Sequence, residues 1–287
     1  MLIQIITLTP TQTLKRNMKT ETRVEVTTDQ QIAYVNLARP EKRNALDMAM
    51  FKEIVKTIKK LRKDRAIRAV IITGQGEDFC SGLDVKSVMK SPKNPLRLLY
   101  KINPWRANLA QRVSTDWRKL PVPVIVAIHG RCWGGGLQIA LGADFRIATP
   151  DASLSIMEGR WGLIPDMGGT LALRELCRKD YSMELAMTAR IIDGNEALAQ
   201  GLITHVSTDP VKAAQQLAEE MMQQSPDAVA GVKKLYNKSW LGGAGMALMR
   251  ESWYQLKIIL GKNSKIKVYN QTHPTEKHKK FQPRKKW

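Results

Sequence analysis

Cysteine is scarce in this chain: Cys80, Cys132 and Cys177 are the only three, an odd number without CxxC spacing. That excludes a disulfide framework and a structural zinc site, and it fits a reducing, cytoplasmic compartment. The four histidines, His129, His205, His273 and His278, are scattered without an HxxxH pair, so no metal site is expected. No apolar run approaches the roughly 20 residues that cross a bilayer. The longest candidates, such as Val122 to Ile128, have the length of a buried strand. No internal repeat recurs at a fixed period. What remains is an ordinary globular composition, 43% hydrophobic and 25% charged over 287 residues. It is enough for one large domain, or a domain with a small appendage, around a sizeable core.

Acidic residues are also few. Forty-six Lys plus Arg stand against 26 Asp plus Glu, a formal net charge of +20. Such a field attracts polyanions, whether nucleic acid, anionic lipid or a phosphate-rich cofactor, and does not bear on fold. Part of the excess is local, since Lys262 to Trp287 carries nine basic residues and one acid, Glu276. At the other end, residues 1–17 are Thr-rich and acid-free. They read as a disordered extension, either a transit segment or residues upstream of a true start at Met18.

From Met18 onward, Arg23 to Thr27 and Ile32 to Leu37 alternate like two hairpin strands. A helix is predicted over Asp47 to Lys63, with Phe51, Ile54, Val55, Ile58 and Leu61 on one face and lysines on another. Ala69 to Thr73 and Val122 to Ile128 read as buried strands, and Phe145 to Ala148 and Ser153 to Ile156 as shorter ones. Asp84 to Met89 reads as a short helix. Ser91 to Pro104 reads as irregular, leading into a helical stretch that ends at Leu120. Beyond Met167 the pattern is almost wholly helical to about Leu260. Alternating strands and helices imply an α/β core with buried, parallel strands.

Two glycine-containing turns each join a strand to a helix: Phe79-Cys80-Ser81-Gly82-Leu83-Asp84 and Gly130-Arg131-Cys132-Trp133-Gly134-Gly135-Gly136. Side by side they can aim two backbone N–H groups at one oxygen, an oxyanion hole in which a single donor is worth roughly 3 kcal/mol. Neither GxGxxG nor GxxxxGKS is present, so the turns do not read as a dinucleotide or P-loop site.

In this order and spacing the turns resemble the crotonase (enoyl-CoA hydratase/isomerase) superfamily. So do Ala38-Arg39-Pro40-Glu41-Lys42-Arg43-Asn44-Ala45-Leu46, similar to the family's RPxxxNAL segment, and Gly162 to Thr170. The resemblance covers about Met18 to Leu260. It implies a spiral of ββα units over residues 18–205 holding an acyl-CoA site, a helical trimerisation region over 206–260 and a basic tail over 261–287. It also implies a homotrimer or hexamer, and no prosthetic group beyond the coenzyme A of the substrate. By position, the oxyanion donors are the N–H groups of Leu83 and Gly135. Carbonyls near Ala45 and Ser81 are expected to hold adenine, and Lys42, Arg43 and Lys86 to meet the nucleotide phosphates.

The acid–base residues depart from the hydratase pattern that the resemblance implies. Where hydratases carry a first glutamate this chain has Gln138, which cannot exchange a proton. The second position is kept as Glu158, and Asp166 stands where the dienoyl-CoA isomerase branch carries an acid. One carboxylate beside an enolate-stabilising hole suffices to move a double bond. Glu158 is therefore the expected base, with Asp166 either a second acid or the N-cap of the next helix. A hydratase using Glu158, with or without Asp166, is the alternative.

Trp133 and Trp161, with Gln138, are expected at the acyl pocket, and Trp105 and Trp117 lie in nearby segments. A rival reading rests on charge. Lys52, Lys56, Lys59 and Lys63 form one stripe, as in crotonase-like RNA binders, and Phe281 and Trp287 are interleaved among the basic residues of the tail.

Overall fold

The computed structural model describes residues 22–286. The expected extension over residues 1–17 lies outside them. Among the described residues eight strands are formed: β1 (Val24–Asp29), β2 (Ile32–Leu37), β3 (Ala69–Gly74), β4 (Val124–Ile128), β5 (Arg131–Trp133), β6 (Phe145–Ala148), β7 (Ser153–Ser155) and β8 (His205–Val206). The larger sheet has the order β1-β2-β3-β4-β6-β8, antiparallel at the β1–β2 hairpin and parallel beyond it. At β3 and β4 both faces are covered, which is why these strands read as unbroken apolar runs, whereas β1 is largely exposed. Val35, Val70, Ile72, Val124 and Val126 point into the main core. Ile32, Ala69, Ile71, Ile125 and Ala127 point the other way, onto Ala214 and Ala218.

The second layer is a smaller sheet, β5 parallel to β7, extended by bridges Leu46↔Leu83, Cys80↔Cys132 and Leu154↔Ile192. Each turn of the chain thus sets one strand in the large sheet and one short extended piece in the small one before entering a helix. This is the ββα spiral.

The first helices are α1 (Met48–Lys63), α2 (Val85–Val88), α3 (Lys93–Leu99), α4 (Leu109–Thr115) and α5 (Gly135–Leu141). Asp47 caps α1 by accepting the Met50 N–H at 2.8 Å, and Phe51, Ile54, Val55, Ile58 and Leu61 are buried as the periodicity requires. The lysines of α1 stand exposed on the opposite side. The segment expected to be irregular contains α3, whose Pro95 sits in the first turn, where its missing N–H costs nothing. Trp117 is 1% exposed and belongs to the core.

The second half holds α6 (Gly169–Leu176), α7 (Lys179–Thr188), α8 (Gly194–Ala199), α9 (Pro210–Met222), α10 (Pro226–Ser239), α11 (Ala244–Ile259) and α12 (Lys262–Thr272). Strand β8 interrupts the helical run, and α12 lies inside the basic segment, where the sequence pattern indicates no element. Buried Lys233 docks α10 on the core, reaching Asp144 at 2.6 Å and the carbonyls of Trp117 and Val122 at 3.1 and 2.9 Å. Among the described residues no helix is long and apolar enough to cross a membrane.

The basic segment folds back as a strap. Arg284, 2% exposed, donates to the Asp64 carbonyl at the end of α1, and its own carbonyl accepts Arg65 Nε at 2.8 Å. Asp227, 1% exposed, accepts the Lys285 N–H at 2.6 Å and Asn263 Nδ2 at 2.9 Å. Removing a charged donor from such a site costs about 2 kcal/mol. Arg284→Ala is therefore expected to lower the thermal midpoint by roughly 4–8 °C, read by calorimetry. An unchanged midpoint would mean that the strap contributes nothing to stability.

Candidate active site

Asn44 lies beneath the first turn. It is fully buried with a left-handed φ of 55°, its Oδ1 accepts the Arg39 N–H at 2.8 Å, and its Nδ2 donates to the carbonyls of Gln75 and Asp78 at 2.9 and 2.8 Å. Those bonds bring the 39–46 segment against the 78–84 turn. Ser81 N then bonds Arg43 O at 2.9 Å, and Leu46 N bonds Gly82 O at 2.8 Å. Lys42, Arg43, Ala45 and Ser81 consequently meet at one edge, with Lys86 exposed on the neighbouring α2. The Ala45 carbonyl already accepts Arg39 Nη1 at 2.9 Å, so only its second lone pair remains for a ligand. Arg39 also pairs with Asp84 at 2.8 Å, which locks the two segments.

The two turns do converge. A Cβ built on Gly82 would lie 3.5 Å from the Gly135 nitrogen and 2.9 Å from the Trp133 carbonyl oxygen, and Gly82 has φ +93°. Among the described residues neither the Leu83 nor the Gly135 N–H has a backbone or side-chain acceptor. Two undonated amides beside each other form the geometry of an oxyanion hole. Gly82→Ala would push on both turns, and a turnover loss of about 10²-fold with little change in secondary structure is expected. Unchanged turnover in a steady-state assay would remove the turn from the machinery.

Glu158 faces this pair. A Cβ on Gly134, the residue before Gly135, would lie 3.5 Å from Glu158 Oε1. Oε1 accepts Gln138 Nε2 at 2.6 Å, whereas Oε2 is buried with no hydrogen-bond partner among the described residues. Burial pushes the Glu158 carboxyl above the usual carboxylate range and the nearby Asp166 charge adds to this, against opposing hydrogen bonds from its own backbone and Gln138. Asp166 is raised too, by partial burial, although part of it reaches solvent at the rim. It does not cap α6, which takes Gly168 as its N-cap.

Gln138 does more than the spacing of the sequence suggests. It is 2% exposed, and its Oε1 accepts the N–H groups of Met167 and Gly169 at 2.9 and 3.0 Å while its Nε2 holds Glu158. It therefore ties Glu158 to the turn that carries Asp166. Met167 in turn packs on Gly135, its Sδ 2.9 Å from a Cβ built there.

The tryptophans are placed less uniformly. Trp161 is 63% exposed on the short turn that carries Glu158. The Trp133 ring donates to Ser153 Oγ through Nε1 at 2.9 Å and lies under the Arg131 guanidinium, so its partners are Ser153 and Arg131. His129 bonds the Gly76 carbonyl at 3.0 Å, and Cys132 is core.

Residues 27–251 match the family model for enoyl-CoA hydratase/isomerase. The chain belongs to that family. It is 35% identical over 220 residues to the mitochondrial Δ(3,5)-Δ(2,4)-dienoyl-CoA isomerase of Mus musculus, spanning 73% of this chain and 67% of that protein. It is 30% identical over 278 residues to the mitochondrial methylglutaconyl-CoA hydratase of Homo sapiens, spanning 93% and 76%. Among solved structures, an enoyl-CoA hydratase from Bacillus anthracis superposes with a TM-score of 0.81 at 26% identity, over 90% of this chain and 98% of that one. Family membership makes it an enzyme of CoA thioester chemistry, and relatives of both reaction types lie at similar distance.

Proposed function

We propose that this protein shifts the double bond of an enoyl-CoA, with Glu158 as the single proton carrier. The observation that carries this reading is the identity and use of residue 138. A glutamine holds one oxygen of the base, and it has no proton to exchange. In the reaction, Glu158 Oε2 takes a proton from C2 of a 3-enoyl-CoA. The electron pair moves onto the thioester oxygen, which the Leu83 and Gly135 N–H groups receive. The resulting dienolate collapses as Glu158 returns the proton at C4, leaving the double bond between C2 and C3, and no water enters. Lys42, Arg43 and Lys86 suit the anionic nucleotide end of coenzyme A, with Ala45 and Ser81 beside them, and Trp161 suits the acyl side.

A second reading, hydration, draws on Asp166, whose charge acts on Glu158 and whose carboxyl is itself raised. Product mass separates the two, because hydration adds a water and isomerisation adds nothing. With 3-enoyl-CoA and 2-enoyl-CoA offered in turn, unchanged mass with a moved double bond is expected; a gain of water would overturn the isomerase reading. A homotrimer or hexamer accompanies this proposal. Helix α11 has no buried residue, and Trp253, Leu256 and Ile259 are each half or more exposed, which suits cover by a second copy.

A further inference from the structure

Away from the two glycine turns, a cleft of about 490 Å³ opens between the last turns of α1 and α4 with the segments that precede and follow it. Its nearest helical residue, Ile58, is roughly 17 Å along α1 from Asp47, at 1.5 Å per residue. None of Lys42, Arg43, Lys86 or Glu158 lines it. The volume falls within the range of ligand sites, roughly 300–1,000 Å³.

The charge of this cleft is unbalanced. Lys59 and Arg62 face it from α1, Arg106 from the loop before α4, and Arg112 and Lys119 from the far wall. Its one acid, Asp116, is 5% exposed and already shared, accepting Arg112 Nε at 2.9 Å and Lys119 Nζ at 2.5 Å. No ion pair joins Lys59, Arg62 or Arg106 to a carboxylate among the described residues. Five cations against one carboxylate leave an excess of four positive charges around one concavity. Cations held this close repel each other, and a multivalent anion relieves that repulsion. Guanidinium forks suit phosphate oxygens in particular.

A second feature specifies more than charge. Trp105 lines the same cleft and is 93% exposed, more than any other large apolar side chain in the described residues. Its backbone N–H is fixed by Asn103 Oδ1 at 2.9 Å, so the indole is presented on a turned loop. A bare indole beside a cluster of unpaired cations matches a ligand with a flat ring at one end and phosphates at the other. Each phosphate brings ~1–2 negative charges, so two or three of them match the excess.

We propose that this cleft is a second ligand site, taking a nucleoside polyphosphate with its base on Trp105 and its phosphates on Lys59, Arg62 and Arg106. The site is independent of the acyl-CoA site and of which reaction is run there.

Calorimetric titration of the full chain with ATP at physiological salt tests this, with and without saturating coenzyme A. Expected are one ATP per chain with an affinity that coenzyme A leaves unchanged, and binding of tripolyphosphate at least tenfold weaker. Arg62→Ala with Arg106→Ala should weaken ATP at least tenfold while leaving enoyl-CoA turnover and the circular dichroism spectrum unchanged. Trp105→Ala should bring ATP down to the tripolyphosphate level. Displacement of ATP by coenzyme A would overturn the proposal, because the cleft would then belong to the substrate's nucleotide. Equal binding of tripolyphosphate and ATP would overturn it as well. So would a single-stranded RNA oligonucleotide that binds tighter than ATP and is weakened by Lys52→Ala and Lys56→Ala, both outside the cleft.

Discussion

Glu158→Gln is expected to abolish turnover, by about 10³-fold or more, while leaving the protein folded and no less stable. The side chain is isosteric, and its amide still fits beside Gly134. The lost quantity is the acceptor at Oε2, the buried oxygen with no hydrogen-bond partner among the described residues. The pH profile of the native enzyme should agree. A base must be ionised, so activity falls as pH drops through the pKa of Glu158, and burial places that acid limb above the ordinary carboxylate range. Stability runs the opposite way. Because the folded carboxyl binds its proton more tightly than the unfolded one, folding loses free energy as pH rises from the ordinary value to the raised one. The glutamine variant has no such loss, and its thermal midpoint at neutral pH should equal or exceed that of the native protein. A kcat that survives the substitution would refute the assignment of the base, and a collapsed midpoint would reveal a structural role instead.

The second large effect is expected from Gln138→Glu. The native amide donates to Glu158 and accepts two backbone N–H groups, so all three contacts are matched to its dipole. A carboxylate there keeps the two acceptors but loses the donor, and it faces a second carboxylate at about the 2.6 Å now spanned by the hydrogen bond. Two such groups share one proton, which drives one pKa far up. Isomerisation at neutral pH should fall by about 10²-fold, and its acid limb should move further toward alkaline pH. A product carrying one added water should appear, since two carboxylates can then divide activation of water from protonation of carbon. Mass analysis of the product from 2-enoyl-CoA checks this. Unaltered kinetics would mean that residue 138 does not act on the proposed base.

Much of the fold is legible in the sequence. Helix α1 follows from five apolar positions on one face and an aspartate at its start, and the parallel sheet follows from strands with no polar alternation. Both glycine turns are visible because glycine is needed where two backbones nearly touch, as at Gly82. Other features had no pattern to carry them. Strand β8 is two residues long, too short to display any period, and α3 is hidden by its proline. The direction of Trp133 depends on which of two alternating faces meets the core, and the neighbouring Cys132 takes that face. Gln138 reads in sequence only as a missing acid. Its hold on Met167 and Gly169 comes from residues 29 and 31 positions away, which no local rule reaches. Arg284 sits in a run of charge that reads as solvated, yet it is buried against the end of α1.

That last contact bears on how the protein is made. The Asp64 carbonyl waits for a donor 220 positions later in the chain, and Asp227 for an amide 58 positions later. During synthesis, the large sheet and α1 emerge long before the strap that closes over them. A nascent chain halted after α11 would expose the end of α1 and leave the carboxylate of Asp227 short of the Lys285 amide. Quality-control proteases and chaperones acting on such chains would meet a nearly complete core with an open seam.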